Sequence, residues 1–391
     1  MSDTSSLFGN PKDILFLDGS ILSPGYIPKR LIARDEQIKK VANLFAPVLS
    51  LNPPHNSIIY GKTGTGKTVV VKYVYSKLHE EIEKNEVNIN IKNILVNCQR
   101  FNTSVKAMVS ILNKIDSEYN VPAHGLSLND YYAKLYNLLN KKKLSIIVIL
   151  DEIDQLKDQD ILYGLSRASE NQDIDVGIFI GIVGITNDTN FAEILDPRII
   201  SSLRKFDIVF PPYDADQLNL ILKDRAIAFK EGVLSNSVIP LCSAYSAQEH
   251  GDARKAINLL RLSGEIAQNK RAKKITQEHV KIANDQQNID CMVEVIKTLP
   301  TQSIIVLKSI SELSKEMKEK FSTGQVLSRY YVLCEDTSCK KLSRTRISQL
   351  ISELEMLGII NTRLKTIGGH GKTRLISLNI PRDKVETILS S

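Results

Sequence analysis

Gly61-Lys62-Thr63-Gly64-Thr65-Gly66-Lys67-Thr68 is the stretch on which the reading of this chain turns. It fits G-x-x-x-x-G-K-[ST] and has the flanks that pattern needs: Ser57 to Tyr60 reads as a strand before it, and Val69 to Leu78 as a helix after it. The glycines let the backbone bend until consecutive N–H groups converge, and the following helix N-terminus adds partial positive charge. Such a cradle fits phosphate oxygens, with Lys67 neutralising them and Thr68 offering a hydroxyl to Mg²⁺. From residue frequencies the pattern arises by chance in roughly one chain in a hundred of this length, so with both flanks present a ligand-free glycine turn is set aside.

Outward from that loop, apolar runs alternate with stretches of helical period. The strand candidates are Ser57 to Tyr60, Ile94 to Cys98, Leu144 to Leu150, Val176 to Ile185 and Phe206 to Phe210. Their shortness and β-branched content favour strand over buried helix, while Val176 to Ile185 fits either on periodicity alone. Crossovers between them predict a three-layer α/β domain around a buried parallel sheet. Ser145 to Leu150 runs into Asp151-Glu152-Ile153-Asp154, which sets carboxylates at the C-terminal edge of a core strand, where ligands of α/β sheets bind. Asp151 is the candidate to hold Mg²⁺ through water, and Glu152 the candidate to polarise an attacking water. For Asp154 a capping or turn role weighs at least as much as a catalytic one. Gly177 to Ile185 ends in Thr186-Asn187-Asp188, so Asn187 is a candidate to hold that water or a γ-phosphate oxygen, although the same tripeptide makes ordinary loops.

Past Pro211-Pro212 the β runs stop. Ala215 to Glu231, Ser235 to Gln248, Asp252 to Gln268 and Thr276 to Asn284 carry the i, i+3, i+4 apolar spacing of a small helical domain. The division expected is 1–212, with an insertion at about 99–143; a helical domain at 213–285; a linker, read as helical, at 286–299; and a last block at 300–391. In that block Pro300 to Leu313, Ser322 to Leu333 and Ser343 to Leu357 read as helices, followed by strands Ile359 to Leu364 and Thr373 to Ile380 around Gly368-Gly369. Three helices and a glycine-tipped hairpin predict a winged helix.

Charge sharpens that reading. The net charge of +7 says little alone, but Lys340 to Arg374 holds eight Lys/Arg against two acids. Ser343 caps a helix whose first turn turns Arg344, Thr345 and Arg346 outward, with Ile347, Leu350, Ile351, Leu354 and Leu357 as its apolar stripe. Arg344, Arg346 and Gln349 are candidates to read base edges, and Arg363, Lys365, Lys372 and Arg374 to meet phosphates, with Ser343, Thr345 and His370 as further DNA-binding candidates. Gly368 and Gly369 let the wing backbone come close to a phosphate or enter a minor groove.

Composition excludes other classes. A chain of 391 residues with 42% hydrophobic and 24% charged residues and no internal repeat is neither disordered nor fibrous, and two or three domains are natural for it. Five scattered cysteines (Cys98, Cys242, Cys291, Cys334, Cys339) lack metal-ligand spacing and give no disulfide framework, which fits a reducing, intracellular setting. Met1 to Asn10 is unlike a signal peptide and no apolar run is long enough to span a bilayer, so a soluble, cytoplasmic, nucleoid-associated protein without a membrane partner is expected.

Together, Gly61 to Thr68, Ile149-Leu150-Asp151-Glu152, Thr186-Asn187 and Gly251-Asp252-Ala253-Arg254-Lys255-Ala256 make the chain resemble an AAA+ ATPase. More narrowly it resembles the archaeal replication initiators related to the eukaryotic origin recognition complex and to the helicase-loading cell-division-control protein. Tyr26 to Asp35, Asp196 to Leu203 and Ser352 to Ile360 resemble the patterns of that family, so the likeness runs from about Tyr26 to Ile380. It implies an AAA+ P-loop NTPase fold, with a three-layer parallel α/β sheet, an all-helical lid and a C-terminal winged-helix domain.

The resemblance also implies that the loop binds ATP or ADP with Mg²⁺, that Tyr26, Pro28 and Arg34 lie near the adenine with Tyr213 a weaker candidate, and that Arg254 reaches from the lid to the γ-phosphate. The residues agree on Arg254, because an arginine in the first turn of a helix opposes the helix dipole unless an anion is near. Clamp loaders carry Ser-Arg before the fifth strand, where this chain has Ser201-Ser202-Leu203 between Arg198 and Arg204. Arg198, in its Pro-Arg setting, is favoured as the trans-acting finger, and the departure predicts slow hydrolysis with ATP as a conformational switch. Val121 to Ser127 falls in the insertion specific to initiators, implying DNA contact there, with Arg100 and Lys106 as candidates. The function expected is an ATP-binding initiator, a weak ATPase, that recognises and deforms double-stranded origin DNA and helps load the replicative helicase, with paralogous initiator subunits as further partners. Two other readings stand beside it: a DNA-stimulated, clamp-loader-like motor, and a transcriptional regulator whose DNA specificity survives loss of nucleotide binding.

Overall fold

The apolar run Ser145 to Leu150 has no polar side because both of its faces are covered. In the computed structural model, Ile146, Val148 and Leu150 join one apolar layer while Ile147 and Ile149 join the other, the situation in which a strand reads as unbroken hydrophobic. The structure describes residues 15–117, 122, 125–168, 174–203, 206–316, 320–336, 339–366 and 372–390. Five parallel strands, β1 (Ser57–Tyr60), β2 (Ile91–Asn97), β3 (Ser145–Asp151), β4 (Ile180–Thr186) and β5 (Phe206–Val209), lie in the order β2-β3-β4-β1-β5. On one face pack α1 (Asp35–Phe45) and α2 (Lys67–Lys84); on the other, α3 (Ser104–Ile115), α4 (Leu128–Lys142), α5 (Asp160–Ser166) and α6 (Pro197–Leu203).

Register decides where the site forms. Tyr60 pairs with Thr186, and Asp151 with Ile185, so β1, β3 and β4 end along one edge, the place where an open α/β sheet takes its ligand. The run from Val176 proves longer than its strand. Val176 is fully exposed and Gly177 turns through φ +89°, so β4 begins only at Ile180; a turn inside an apolar run leaves hydrophobicity unchanged and escapes a periodicity reading.

The helical part holds α7 (Ala215–Arg225), α8 (Val238–Gln248), α9 (Ala253–Asn269) and the start of α10 (Gln277–Lys297). Helix α7 is shorter than its apolar spacing predicts. The chain tightens into a 3₁₀ turn at Ala226–Ala228 and sends Phe229 to bridge Phe16, their rings 4.7 Å apart. The Leu17 and Asp18 N–H groups both donate to the Ala228 carbonyl, so the segment leading to Tyr26 is fastened to the helical part.

By its contacts the chain divides into Met1–Val280 and Lys281–Ser391. Helix α10 crosses that boundary and runs unbroken through the segment read as a linker. The second unit holds α11 (Thr301–Glu316), β6 (Phe321–Ser322), α12 (Thr323–Asp336), α13 (Arg344–Met356), β7 (Ile360–Thr366), β8 (Lys372–Leu378) and α14 (Arg382–Ser390). Its antiparallel sheet has the order β6-β8-β7, a winged helix. Ile347, Leu350, Ile351 and Leu354 of α13 are buried against α11 and α12. Leu357, expected in that stripe, is 44% exposed because the helix has already reached its C-cap there. Among the described residues no helix is long and apolar enough to cross a membrane.

Candidate functional site

A cleft of about 450 Å³ opens at the shared strand edge of the first unit. Its floor is the loop Gly61 to Thr68, with Thr63 to Thr68 lining the space and α2 starting at Lys67. Gly64 (φ +74°) and Gly66 (φ +90°) occupy the left-handed region, and each is closely covered: a side chain at Gly64 would overlap the Asp252 carboxylate, and one at Gly66 would meet the Tyr213 hydroxyl at 2.6 Å. Glycine is required here by backbone angle and by space together.

Lys67 lies buried in this floor, donating from Nζ to the carbonyls of Gly61 and Lys62 and to Asn187 Oδ1 at 2.9 Å. Burial pulls its pKa down to about 8; Asp151 opposes that shift and the Arg254 charge adds to it. The loop therefore holds a cation with too little negative charge around it, a site that an anion completes. Thr68 Oγ1 donates to Asp151 Oδ2 at 3.0 Å, which brings together the two groups expected at Mg²⁺. A hydroxyl and a carboxylate are hard oxygen donors of the kind that ion takes, with the remaining positions left to water and phosphate.

At the end of β3, Glu152 sits at φ +56°, a left-handed angle uncommon for a residue other than glycine. Its Oε2 accepts from Asn97 Nδ2 at 3.1 Å, and Asn97 Oδ1 accepts from the Arg100 N–H at 2.9 Å. Asn97 ends β2 opposite Asp151; sequence reading passed over it, although a polar residue closing the strand beside the acidic one is a usable signal. Asp154 braces the end of β4, accepting from Thr186 Oγ1 at 2.7 Å and from the Asn187 N–H at 3.3 Å. Burial works against the Asp154 charge, but hydrogen bonds from Gln155, Thr186 and Asn187 outweigh it and hold the carboxyl below its ordinary value. Of its two weighed roles, the geometry shows the turn-stabilising one.

Residues of the lid line this cleft. Asp252 caps α9, accepting from the Arg254 and Lys255 N–H groups, and the Ala253 N–H donates to the Gly64 carbonyl at 3.2 Å. Arg254 lines the cleft and has no ion pair with a described residue. Tyr26 and Pro28 also line the cleft, with Arg225, whose guanidinium lies 4.5 Å over the Tyr26 ring. Arg225 is 7% exposed, and burial pulls its pKa below the usual arginine value. From sequence it looks like any arginine in the last turn of a helix, so no signal marked it.

Arg34 takes a different place from the one expected near the base. It is 2% exposed and does not line the cleft; its Nε donates to the Thr65 carbonyl at 3.0 Å, its Nη2 to the Pro211 carbonyl at 2.6 Å, and its plane lies 3.6 Å from the Tyr213 ring centre. Arg34 and Tyr213 together buttress the glycine loop from beneath, with Tyr213 also reaching the cleft wall. Arg198 is also engaged: its fork grips Asp196, Nε to Oδ1 at 3.1 Å and Nη2 to Oδ2 at 2.8 Å, and these bonds hold the Asp196 carboxyl down at about 2. Arg204 lies outside the described residues.

In the second unit Ser343 caps α13, its hydroxyl accepting from the Arg346 N–H, and Arg344, Thr345, Arg346 and Gln349 are all exposed. Arg346 reaches along its own helix to Gln349 Oε1 at 3.0 Å and Glu353 at 3.4 Å. Arg344 and Arg363 are exposed without an ion pair to a described residue. Arg374, expected at phosphates, is half-buried and donates to Ser352 Oγ at 2.8 Å, pinning β8 to α13. Gly368, Gly369 and His370 lie outside the described residues, as do the side chains of Lys365 and Lys372 and, in the insertion, Val121, Ala123 and His124. Arg100 and Lys106 are exposed in the first unit, where Arg100 lies 5.3 Å from the Phe101 ring centre.

Comparison with known proteins agrees with both halves. Family profiles match as an AAA domain over residues 53–186, a Cdc6 AAA+ ATPase-type lid domain over 219–285 and a CDC6 C-terminal winged helix domain over 294–388. The chain is 43% identical over 380 residues to the ORC1-type DNA replication protein of Pyrococcus abyssi, covering 96% of this chain and 90% of that one. It is 44% identical over 367 residues to ORC1-type DNA replication protein 1 of Archaeoglobus fulgidus, with 93% and 88% covered. Among solved structures, the Aeropyrum pernix ORC1 protein in complex with DNA matches with a TM-score of 0.74 at 39% identity, covering 96% of this chain and 97% of that one.

Proposed function

This chain belongs to the archaeal ORC1-type DNA replication proteins, AAA+ ATPases that act in replication initiation, and from that premise we propose how it works. Its winged helix recognises double-stranded origin DNA, the insertion of the first unit makes a second contact that bends the duplex, and the nucleotide state of the cleft sets when the replicative helicase is recruited. The observation that carries this reading is the first turn of α13. Arg344 stands there exposed and without an ion pair to a described residue on a winged-helix fold, and a charge so placed fits DNA.

Arg344, Arg346 and Gln349 present donors to base edges in the major groove. Lys365, Lys372, Gly368 and Gly369, with Arg363, are the proposed phosphate contacts, while Arg374 acts indirectly by holding the wing strand to α13. In the cleft Lys67 neutralises β- and γ-phosphate oxygens, Thr68 and Asp151 hold Mg²⁺, Asn187 orients the attacking water and Glu152 takes its proton. Bound Mg²⁺ supplies further neutralisation of phosphate charge. Two observations support slow turnover: Glu152 already accepts a hydrogen bond from Asn97, and Arg198, the favoured finger toward a neighbouring subunit, is gripped by Asp196. Because Arg254 and Arg225 both line the cleft from the lid, the occupant of the cleft sets how the lid is held, and ATP acts as a switch.

Footprinting and quantitative binding on origin-containing and scrambled duplexes, over a salt series with ATP and with ADP, test the reading. A bounded footprint on distorted DNA with a large preference for origin sequence is expected. Equal, steeply salt-dependent binding to every duplex would replace this reading with a DNA-stimulated motor.

A further inference from the structure

Two of the five cysteines, one in the last turn of α12 and one just past it, are joined by a backbone hydrogen bond. The Cys339 N–H donates to the Cys334 carbonyl at 3.0 Å, and the helix ends at Asp336. That bond closes six residues on each other and brings the backbones of Cys334 and Cys339 within hydrogen-bond distance. Cys334 is buried, and Cys339 is half-buried against the same apolar cluster. Cys334 hydrogen-bonds the Tyr330 hydroxyl, which is pushed up to about 12 by burial first and then by that bond, with the charges of both thiols adding to the shift. Cys98 and Cys242 are each buried, with the thiol pushed up to about 12 by that burial.

Tyr330 also connects the pair to the proposed DNA-reading helix. Its hydroxyl donates to Gln302 Oε1 at 2.6 Å and accepts from the Leu342 N–H at 3.2 Å, one residue before the Ser343 cap. Gln302 Nε2 donates in turn to the Lys340 carbonyl at 3.2 Å. The strand of chain from Cys339 to Ser343 is therefore positioned through one hydroxyl that Cys334 touches.

We propose that Cys334 and Cys339 are a reversible dithiol site, closed to a disulfide by exchange with an external disulfide, and that closure weakens DNA binding by α13. Cys339, the more accessible, loses its proton and attacks one sulfur of R–S–S–R, forming Cys339–S–S–R and releasing one thiolate, which takes up that proton. Cys334, deprotonated in turn, attacks the Cys339 sulfur and expels the second thiolate. The pair is oxidised by two electrons and the external disulfide is reduced to two thiols. Closure draws the Cys334 sulfur from Tyr330 and disturbs the Leu342 bond that sets the cap of α13. The effect on DNA rests on the function proposed above; the disulfide does not.

The test uses the full-length protein carrying Cys291→Ser, exposed to oxidised glutathione and read by intact mass. A loss of two hydrogens with no retained glutathione, a crosslinked Cys334–Cys339 peptide and reversal by dithiothreitol are expected. Cys334→Ser should instead keep one glutathione on Cys339, and Cys339→Ser should resist reaction. No reaction, or glutathione retained on the pair without closure, overturns the site. On a duplex selected from a random pool by the reduced protein, the closed form should bind about tenfold more weakly, the scale of one lost base contact. Unchanged affinity in a protein shown to be closed overturns the coupling to α13. If the reduced protein selects no sequence, the reading of α13 fails, and the mass change still decides the thiol pair.

Discussion

Cations serve both units of this chain under opposite conditions. Lys67 is buried, fixed by two carbonyls and Asn187, and held well below its ordinary pKa, whereas Arg344 and Arg363 stand exposed without a described ion pair. Burial strengthens each interaction and makes the loss of any member costly, because its neighbours are left uncompensated. Exposure spreads the work over many weak, salt-screened contacts. The cleft should therefore respond to substitution nearly all-or-none, and the winged helix by degrees.

The sharpest break of that contrast lies in Glu152→Gln, expected to lower single-turnover hydrolysis about 10²- to 10⁴-fold while equilibrium nucleotide binding persists; undiminished turnover would move water activation to another residue. Next in size, Lys67→Ala should weaken nucleotide binding roughly 100-fold or more, the scale of truncating one partner in a buried charged set. Calorimetry that finds a loss of only a few fold would put Lys67 in the same class as the surface cations. Arg344→Ala should cost about 1–3 kcal/mol on a preferred duplex and relax its preference at one position. Arg363→Ala should weaken binding to all duplexes alike and reduce the salt slope by about one; base-specific losses there would reverse the two roles.

The smallest effect is a proton. Lys67 titrates near 8 in the free protein, and a bound polyphosphate restores its charge. Nucleotide binding should thus take up roughly half a proton at pH 8, more above it and little at pH 6.5. Affinity should fall as pH rises through 8. Calorimetry in buffers of different ionisation enthalpy reads this directly, and Lys67→Ala should remove it. For folding the sign is the reverse of a salt-bridged lysine: a depressed pKa opposes the folded state below about 8, and the penalty fades as pH rises toward 10.5.

Much of this was legible from residues because its causes are local. A glycine loop between a strand and a helix, carboxylates ending an apolar run, and a serine cap ahead of an apolar stripe each lie within a few neighbours, and the structure finds each in its expected element. What escaped depends on pairing between distant segments. Arg34 and Arg225 are both arginines next to helices, yet one props the glycine loop and the other stacks on Tyr26 at the cleft wall. Arg374 resembled its basic neighbours until its partner Ser352, 22 residues away, was seen.

The amino-acid order by itself determined the alternation of apolar strands with helices, the parallel α/β class, the phosphate loop and the basic character of the last block, since propensity, period and charge are properties of short stretches. Only the tertiary structure decided which polar groups are used up internally and which are left for a ligand. Asn97 reaches Glu152 and Asp154 reaches Asn187, while Arg254 and Arg344 find no described ion-pair partner. A side chain's availability is set by what folding places within hydrogen-bond distance, and that distance is not a property of neighbours along the chain.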